Sequence, residues 1–106
     1  MRIAQAARLK AEKRDEYLSL HANPWPEVLD RLTKSHVENY SIYLAGDLVF
    51  AYFEYTGDDY EADMAAIAAD EATQRWWARC VPCLDDCLPD AGPTHWADLP
   101  EIFRLD

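Results

Sequence analysis

Tyr17 and His21 form the first pair of residues whose types and spacing could do chemistry. They stand four residues apart in a segment that the sequence predicts to be helical, so their side chains are neighbours. A histidine, with an ordinary pKa of about 6.5, can accept and donate protons at neutral pH, and a tyrosine hydroxyl beside it can orient a substrate oxygen. A surface or capping histidine ahead of Pro24 would show the same spacing, so the spacing leaves both interpretations open.

Trp76 and Trp77 are adjacent in a second predicted helix. Adjacent helical residues point about 100° apart, so only one of the two indoles can join the buried stripe. The spacing of Thr73, Trp77, Cys80 and Leu84 predicts that Trp77 is buried. Trp76 is then expected at the margin of the helix, where a sugar ring could lie against the indole. Plain core packing is the alternative for both side chains.

Two tyrosines in one predicted strand are further candidates. Tyr40 shares a face with Ile42 and Leu44, whereas Tyr43 lies on the opposite face. Either hydroxyl could reach a cavity between a sheet and its helices, and the sequence does not choose between them.

The spacing of the cysteines is typical of redox or metal sites, but their sequence context fits neither. Cys80 and Cys83 form a C-x-x-C pair, and Cys87 follows. A redox pair normally opens a helix after a strand, whereas this one falls near a predicted helix end. A zinc site would need a fourth ligand, and His95 is isolated. We therefore interpret the thiols as structural and predict no metal site.

Composition narrows the classes of partner. The 106 residues carry a net charge of −10, and the ten basic residues are scattered, which argues against nucleic acid. No apolar stretch approaches the roughly 20 residues of a membrane span, and the N-terminus does not resemble a secretory signal. An odd, clustered set of three cysteines fits a reducing compartment, so we expect a cytoplasmic protein whose partner is a small molecule or another protein.

The elements that position these side chains can be predicted from periodicity and turn residues. We predict strands at 3–9, 37–44, 48–55 and 101–105, a hairpin turn at 45–47, and a loop at 87–100. Helices are predicted at 11–22, after a break at Pro24 and Pro26, and after N-caps at 57–59 and Asp70. One buried stripe is expected along the first two helices, formed by Leu18, Ala22, Trp25, Leu29 and Leu32.

This order of elements predicts a single α+β domain over residues 1–106. It is the ferredoxin-like arrangement, an antiparallel sheet with its helices on one face. The third predicted strand, 48–55, is apolar on both faces, so the face without helices needs a cover. We expect a homodimer in which two sheets pack face to face as a dimeric α/β barrel.

Several motifs, in a fixed order along nearly the whole chain, resemble the L-rhamnose mutarotases. They are Glu16-Tyr17 with His21, Trp25-Pro26-Glu27, Asn39-Tyr40-Ser41-Ile42-Tyr43, Phe50-Ala51-Tyr52-Phe53-Glu54-Tyr55, Thr73-Gln74-Arg75-Trp76-Trp77 and Ile102-Phe103-Arg104-Leu105.

The resemblance implies a ferredoxin-like homodimer that interconverts the α and β anomers of a deoxyhexose without metal or cofactor. It makes His21 the proton donor and places Tyr17, Tyr40, Trp76 and Trp77 in the substrate site. The base is not assigned by the resemblance, and water, a tyrosine or a carboxylate such as Glu101 could serve.

One departure from the family pattern concerns the sugar. The typical L-rhamnose enzyme has Asn directly after the histidine, whereas Ala22 stands there in this chain and Asn23 follows. Together with the segment 57–64 and the Cys-rich tail, this resembles a branch linked to L-fucose use, so the sequence leaves the 6-deoxyhexose open. Two rival functions share the fold: a non-catalytic sugar-binding or regulatory dimer, and, by fold analogy alone, a cofactor-free monooxygenase.

Overall fold

The computed structural model describes residues 1–106 and contains five strands and four α-helices. In chain order they are β1 (Arg2–Leu9), α1 (Arg14–Ala22), α2 (Pro26–Lys34), β2 (Val37–Ala45), β3 (Leu48–Tyr55), α3 (Tyr60–Ala69), α4 (Glu71–Cys80), β4 (Leu84–Asp85) and β5 (Ala97–Asp98). Short 3₁₀ turns precede α1 and follow α4. None of the helices combines the length and the apolar character that a membrane crossing would require.

The strands form one antiparallel sheet in the order β2-β3-β1-β4, and β5 also pairs with β1. Along β3, the residues Val49, Ala51, Phe53 and Tyr55 alternate into the core, and the four helices cover this inner face. The hairpin between β2 and β3 turns at Gly46, whose φ of 63° is a conformation that glycine adopts without strain. The predicted α+β class and the antiparallel sheet with helices on one face are confirmed.

A β-bulge in β2 determines which of its side chains face inward. The pairing with β3 shifts by one residue between Glu38 and Ser41, and Asn39 adopts a left-handed φ of 50°. Because of this extra residue, both Val37 and Tyr40 lie on the inner face, where Tyr40 stacks on Phe53. The bulge therefore delivers Tyr40, and not Tyr43, to the space beneath the helices.

The helix ends follow the turn chemistry of the sequence. Pro26 occupies the first position of α2, as its fixed φ and missing N–H favour. The carboxylate of Asp59 accepts from the backbone N–H of Ala62 at 3.1 Å, and that of Asp70 accepts from the N–H of Thr73 at 3.0 Å. The break at the prolines and both caps were predicted correctly, and the Asp70 cap fixes the start of the helix that carries both candidate tryptophans.

The single buried stripe predicted along α1 and α2 is wrong. Leu18 and Leu29 are exposed, and the buried residues of the two helices are Tyr17 and Val28. The residues between the helices have extended or irregular backbone, which turns the chain, so one helical period does not run through both helices. Each helix packs on its own face, and α1 uses the face that carries Tyr17.

The predicted last strand at 101–105 is also wrong. The final pairing with β1 is made by β4 and β5, and β5 falls inside the segment that was predicted to be a loop. Pro100 has no N–H to continue a ladder after β5, and residues 101–106 are exposed without regular structure.

The outer face of the sheet carries exposed aromatic side chains. Tyr43 is 63% exposed, and Phe50 lies beside it on β3, in the pair Tyr43↔Phe50. No helix covers this face, and the C-terminal Phe103 is 79% exposed near the same sheet.

Candidate active site

A cavity of about 690 Å³ lies between the inner face of the sheet and the helices. All five candidate site residues of the sequence line it: Tyr17, His21, Tyr40, Trp76 and Trp77. They come from α1, β2 and α4, so the tertiary structure brings together side chains that are up to 60 residues apart in the chain. The volume falls within the range of roughly 300–1,000 Å³ that is typical of small-molecule sites.

His21 lies in the last turn of α1, and one of its ring nitrogens is hydrogen-bonded to the backbone. Its Nδ1 is 2.9 Å from the carbonyl oxygen of Tyr17, and since a carbonyl only accepts, Nδ1 carries the proton. The imidazole stacks on the Tyr17 ring at 4.1 Å between centroids and meets the edge of Trp76 at 5.2 Å. In the neutral imidazole, Nε2 therefore has the free lone pair, and no protein group hydrogen-bonds it.

The surroundings of His21 favour its neutral form. Burial lowers the pKa of His21 below its ordinary value of 6.5, and the hydrogen bond to the Tyr17 carbonyl opposes this shift without cancelling it. At neutral pH the side chain therefore offers Nε2 as a proton acceptor, and Nδ1–H fixes the orientation of the ring.

The hydroxyls of the two candidate tyrosines, Tyr17 and Tyr40, stay protonated at any physiological pH. Burial raises the pKa of Tyr17 well above its ordinary value, and it raises the pKa of Tyr40 to about 12. The accessible 42% of Tyr40 includes surface that faces the cavity, and its ring stacks on Phe53 with centroids 5.3 Å apart. Both hydroxyls can therefore donate and accept hydrogen bonds but do not serve as anionic bases.

The two tryptophans have exchanged the positions that the sequence predicted. Trp76 is the buried indole, at 8% exposure, and it contacts Trp25 edge-on at 5.2 Å as well as His21. Trp77 is half-buried and lies between the two core clusters of the protein. The buried stripe of α4 is Ala72, Thr73, Trp76 and Cys80, because the rotation of α4 is set by its packing on α2. Both indoles nevertheless line the cavity.

The lining residues that sequence reasoning did not name as candidates include Gln5, Thr94 and Trp96. Gln5 could have been noticed as a polar residue inside a strand, whereas the loop before β5 gives no pattern that places Thr94 and Trp96. Glu101, named as a possible base, lies outside the cavity, where it contacts Arg2.

The cysteines are free thiols in different environments. Cys80 lines the cavity, and burial raises its pKa to about 12. Cys83 is fully buried, and its Sγ donates to Glu16 Oε2 at 3.3 Å. A reactive cysteine needs a lowered pKa, so neither buried thiol has the character of a redox nucleophile. No group of three or more His, Cys, Asp or Glu side chains lies close enough together to hold a metal ion.

The sequence profile of the L-rhamnose mutarotase family matches residues 2–105. The chain belongs to this family. A relative named L-rhamnose mutarotase, from Lactiplantibacillus plantarum, is 33% identical over 108 residues and is covered to 99% by the chain. Another, from Opitutus terrae, is 38% identical over 93 residues, which cover 86% of the chain and 85% of that relative.

A solved structure carries the same family name. The L-rhamnose mutarotase of Formosa agariphila superimposes with a TM-score of 0.76 at 22% identity, covering 100% of this chain and 99% of that one. This likeness shows the fold. As a member of the L-rhamnose mutarotase family, the chain is an isomerase that acts on a carbohydrate.

Proposed function

We propose that the protein interconverts the α and β anomers of a 6-deoxyhexose such as L-rhamnose or L-fucose, with His21 as the proton-transferring residue. The observation that carries this proposal is the fixed imidazole, whose Nδ1 is bound to a carbonyl and whose Nε2 is free in an aromatic-lined cavity. The names of the relatives support the sugar class.

The proton transfer needs only one side chain. The neutral Nε2 of His21 takes the proton of the anomeric hydroxyl, and the resulting imidazolium delivers it to the ring oxygen as the C1–O5 bond breaks. Both oxygens are bonded to the same carbon, so one nitrogen can serve both. The product is the open-chain aldehyde and neutral His21; rotation about C1–C2 and the reverse transfer then close the other anomer. General acid–base help of this kind is worth about 10²–10⁴-fold.

The remaining cavity residues bind and orient the sugar in this proposal. The indole faces of Trp76 and Trp77 suit the C–H faces of a pyranose, and their N–H groups can donate to hydroxyls. The hydroxyls of Tyr17 and Tyr40 remain protonated and hydrogen-bond the sugar oxygens beside His21. No metal or cofactor enters the proposed reaction.

The test is anomer exchange measured by saturation-transfer NMR on L-rhamnose, L-fucose, other 6-deoxyhexoses and ordinary hexoses. We expect acceleration for at least one 6-deoxyhexose, and its identity decides whether Ala22 marks the L-fucose type. Calorimetry on the same sugars distinguishes the enzyme from a non-catalytic sugar-binding or regulatory protein. Binding without accelerated exchange would identify such a protein and contradict the proposal.

We also propose that two copies of the chain pack through the outer faces of their sheets. Tyr43 and Phe50 form an uncovered aromatic pair there, and the exposed C-terminal segment adds Phe103. Apolar surface of this kind is covered in a C₂ dimer by the same surface of the partner. Light scattering should show a dimer for the native chain and a monomer for Phe50→Glu, whereas Leu18→Glu, at an exposed position of α1 outside the cavity, should leave the dimer intact. A native monomer at micromolar concentration would refute this arrangement.

The compartment proposed for the protein is the cytoplasm. All three cysteines are free thiols, which a reducing compartment preserves.

A further inference from the structure

Gln5 is the polar exception on the inner face of β1. Its inward-facing neighbours on that strand are the apolar residues Ile3, Ala7 and Leu9. Ala7 and Leu9 belong to the larger core cluster, and Ile3 packs against the smaller one. Gln5 pairs with Ala51 at the centre of the β1–β3 ladder, and its side chain lines the same cavity as His21. Gln5 is half-buried, so the polar atoms of its amide are partly shielded from water and are stabilised by hydrogen-bond partners.

One half of the Gln5 amide has a partner that fixes its orientation. Nε2 donates to Asp98 Oδ1 at 2.9 Å, and the two residues stand opposite each other in the β1–β5 pairing. A carboxylate only accepts hydrogen bonds, so the nitrogen of the amide must point to Asp98. The carbonyl oxygen, Oε1, is thereby directed away from Asp98, and no protein donor reaches it.

Oε1 differs chemically from the tryptophan and tyrosine groups that line the cavity. The indole nitrogens of Trp76 and Trp77 can only donate, and the tyrosine hydroxyls can donate or accept. Gln5 Oε1 can only accept, and every hydroxyl of a sugar carries a proton to give. A sugar that fills the cavity therefore finds in Gln5 a partner that recognises a hydroxyl group and rejects a hydrogen in its place.

We propose that Gln5 determines sugar specificity: its Oε1 accepts a hydrogen bond from one non-anomeric hydroxyl, and Asp98 is the positioning residue that keeps this oxygen turned toward the cavity. The inference rests on the proposed mutarotase function and adds a recognition residue to it. The group recognised is a ring hydroxyl at C2, C3 or C4 of a pyranose.

The experiment compares L-rhamnose with its 2-, 3- and 4-deoxy analogues in wild type and in Gln5→Met, which keeps the length of the side chain and removes the amide. For L-rhamnose we expect Gln5→Met to raise KM about two- to tenfold, the range of one hydrogen bond, with kcat nearly unchanged. For one deoxy analogue, and only one, wild type and Gln5→Met should have the same KM. Gln74→Met, at an exposed amide outside the cavity, is the matched control and should leave every KM unchanged.

Asp98→Asn tests the positioning role separately. An asparagine amide can donate as well as accept, so the Gln5 amide loses its fixed orientation, and KM should rise less than in Gln5→Met without a change in kcat. Circular dichroism and thermal melting of each variant show whether it folds. If Gln5→Met does not fold, the KM of Asp98→Asn provides the test instead.

The outcomes distinguish this inference from the function on which it rests. If wild type exchanges anomers but Gln5→Met has the wild-type KM, or loses affinity equally for all three analogues, Gln5 does not recognise a hydroxyl. If wild type exchanges no anomers, the proposed function fails, and the calorimetric Kd of L-rhamnose for wild type and Gln5→Met still decides whether Gln5 binds sugar.

Discussion

Replacing His21 with phenylalanine separates proton transfer from the packing that surrounds it. Phenylalanine keeps an aromatic ring stacked on Tyr17 and against the edge of Trp76, where the native centroids are 4.1 Å and 5.2 Å away, and removes both ring nitrogens. The one hydrogen bond lost is that from Nδ1 to the Tyr17 carbonyl. We therefore expect a folded protein whose sugar site keeps its shape.

The expected magnitudes differ sharply between stability and catalysis. Loss of one hydrogen bond costs about 1 kcal/mol of the free energy of unfolding, which leaves most of the roughly 5–15 kcal/mol of a typical domain. Loss of acid–base help should lower kcat by about 10²–10⁴-fold, or roughly 3–5 kcal/mol of barrier, with little change in KM.

The pH dependence of kcat gives a second, independent prediction for native His21. Because the folded-state pKa is below 6.5, more than about three-quarters of the side chain is neutral at pH 7, and the neutral form starts the reaction. Activity should be flat above neutral pH and fall about tenfold per unit once the pH is below that pKa. The unfolded chain binds this proton more tightly, so the contribution to stability is present above pH 6.5 and is lost as the pH falls toward the folded-state pKa.

Saturation-transfer NMR of the two anomers measures kcat directly, and urea unfolding measures stability. Exchange by His21→Phe at more than a tenth of the native rate would refute the role of His21, as would a native kcat that rises below pH 6. Imidazole added to His21→Ala should restore part of the activity, because the truncation opens space beside Tyr17 for a free base.

Three further predictions test how the site is positioned. Asn39→Val should lower the free energy of unfolding by about 1–2 kcal/mol through its left-handed φ, whereas Asn39→Gly should not show this strain; equal urea midpoints would contradict the bulge as described. Asp70→Ala should cost about 1 kcal/mol in the same measurement by removing the cap on Thr73, and an unchanged midpoint would show that the cap contributes nothing. Trp76→Ala should raise the KM for sugar and lower the free energy of unfolding by about 3–5 kcal/mol, because this indole is buried. Trp77→Ala should also raise KM but cost less stability, because Trp77 is half-buried. A larger loss of stability in Trp77→Ala would contradict the burial of the two indoles described above.

The parts of the site that depend on local chemistry could be predicted from the sequence. Tyr17 and His21 are neighbours because four residues make about one helical turn, and this holds wherever the helix packs. The Asp70 cap and the start of α2 at Pro26 likewise depend on residues within one turn. These local rules predict correctly where α2 and α4 begin.

The parts that depend on long-range packing could not be predicted. Whether Trp76 or Trp77 is buried is decided by the rotation of α4 against α2, and an i, i+4 pattern permits either. The partner of β1 at its free edge is β5, a two-residue strand without a β-rich sequence, so the apolar 101–105 segment was the more obvious choice and the wrong one. Gln5 acquires a role only when β5 brings Asp98 beside it.

The cavity shares the space between sheet and helices with the core. Only 19 of the 106 residues are buried, and the space between sheet and helices is open to a ligand. A sugar bound there stabilises the folded chain by about 2.7 kcal/mol at a concentration 100 times its Kd. Melting temperature and resistance to proteolysis should therefore rise with the supply of substrate, so that the enzyme persists longest in cells that hold its sugar.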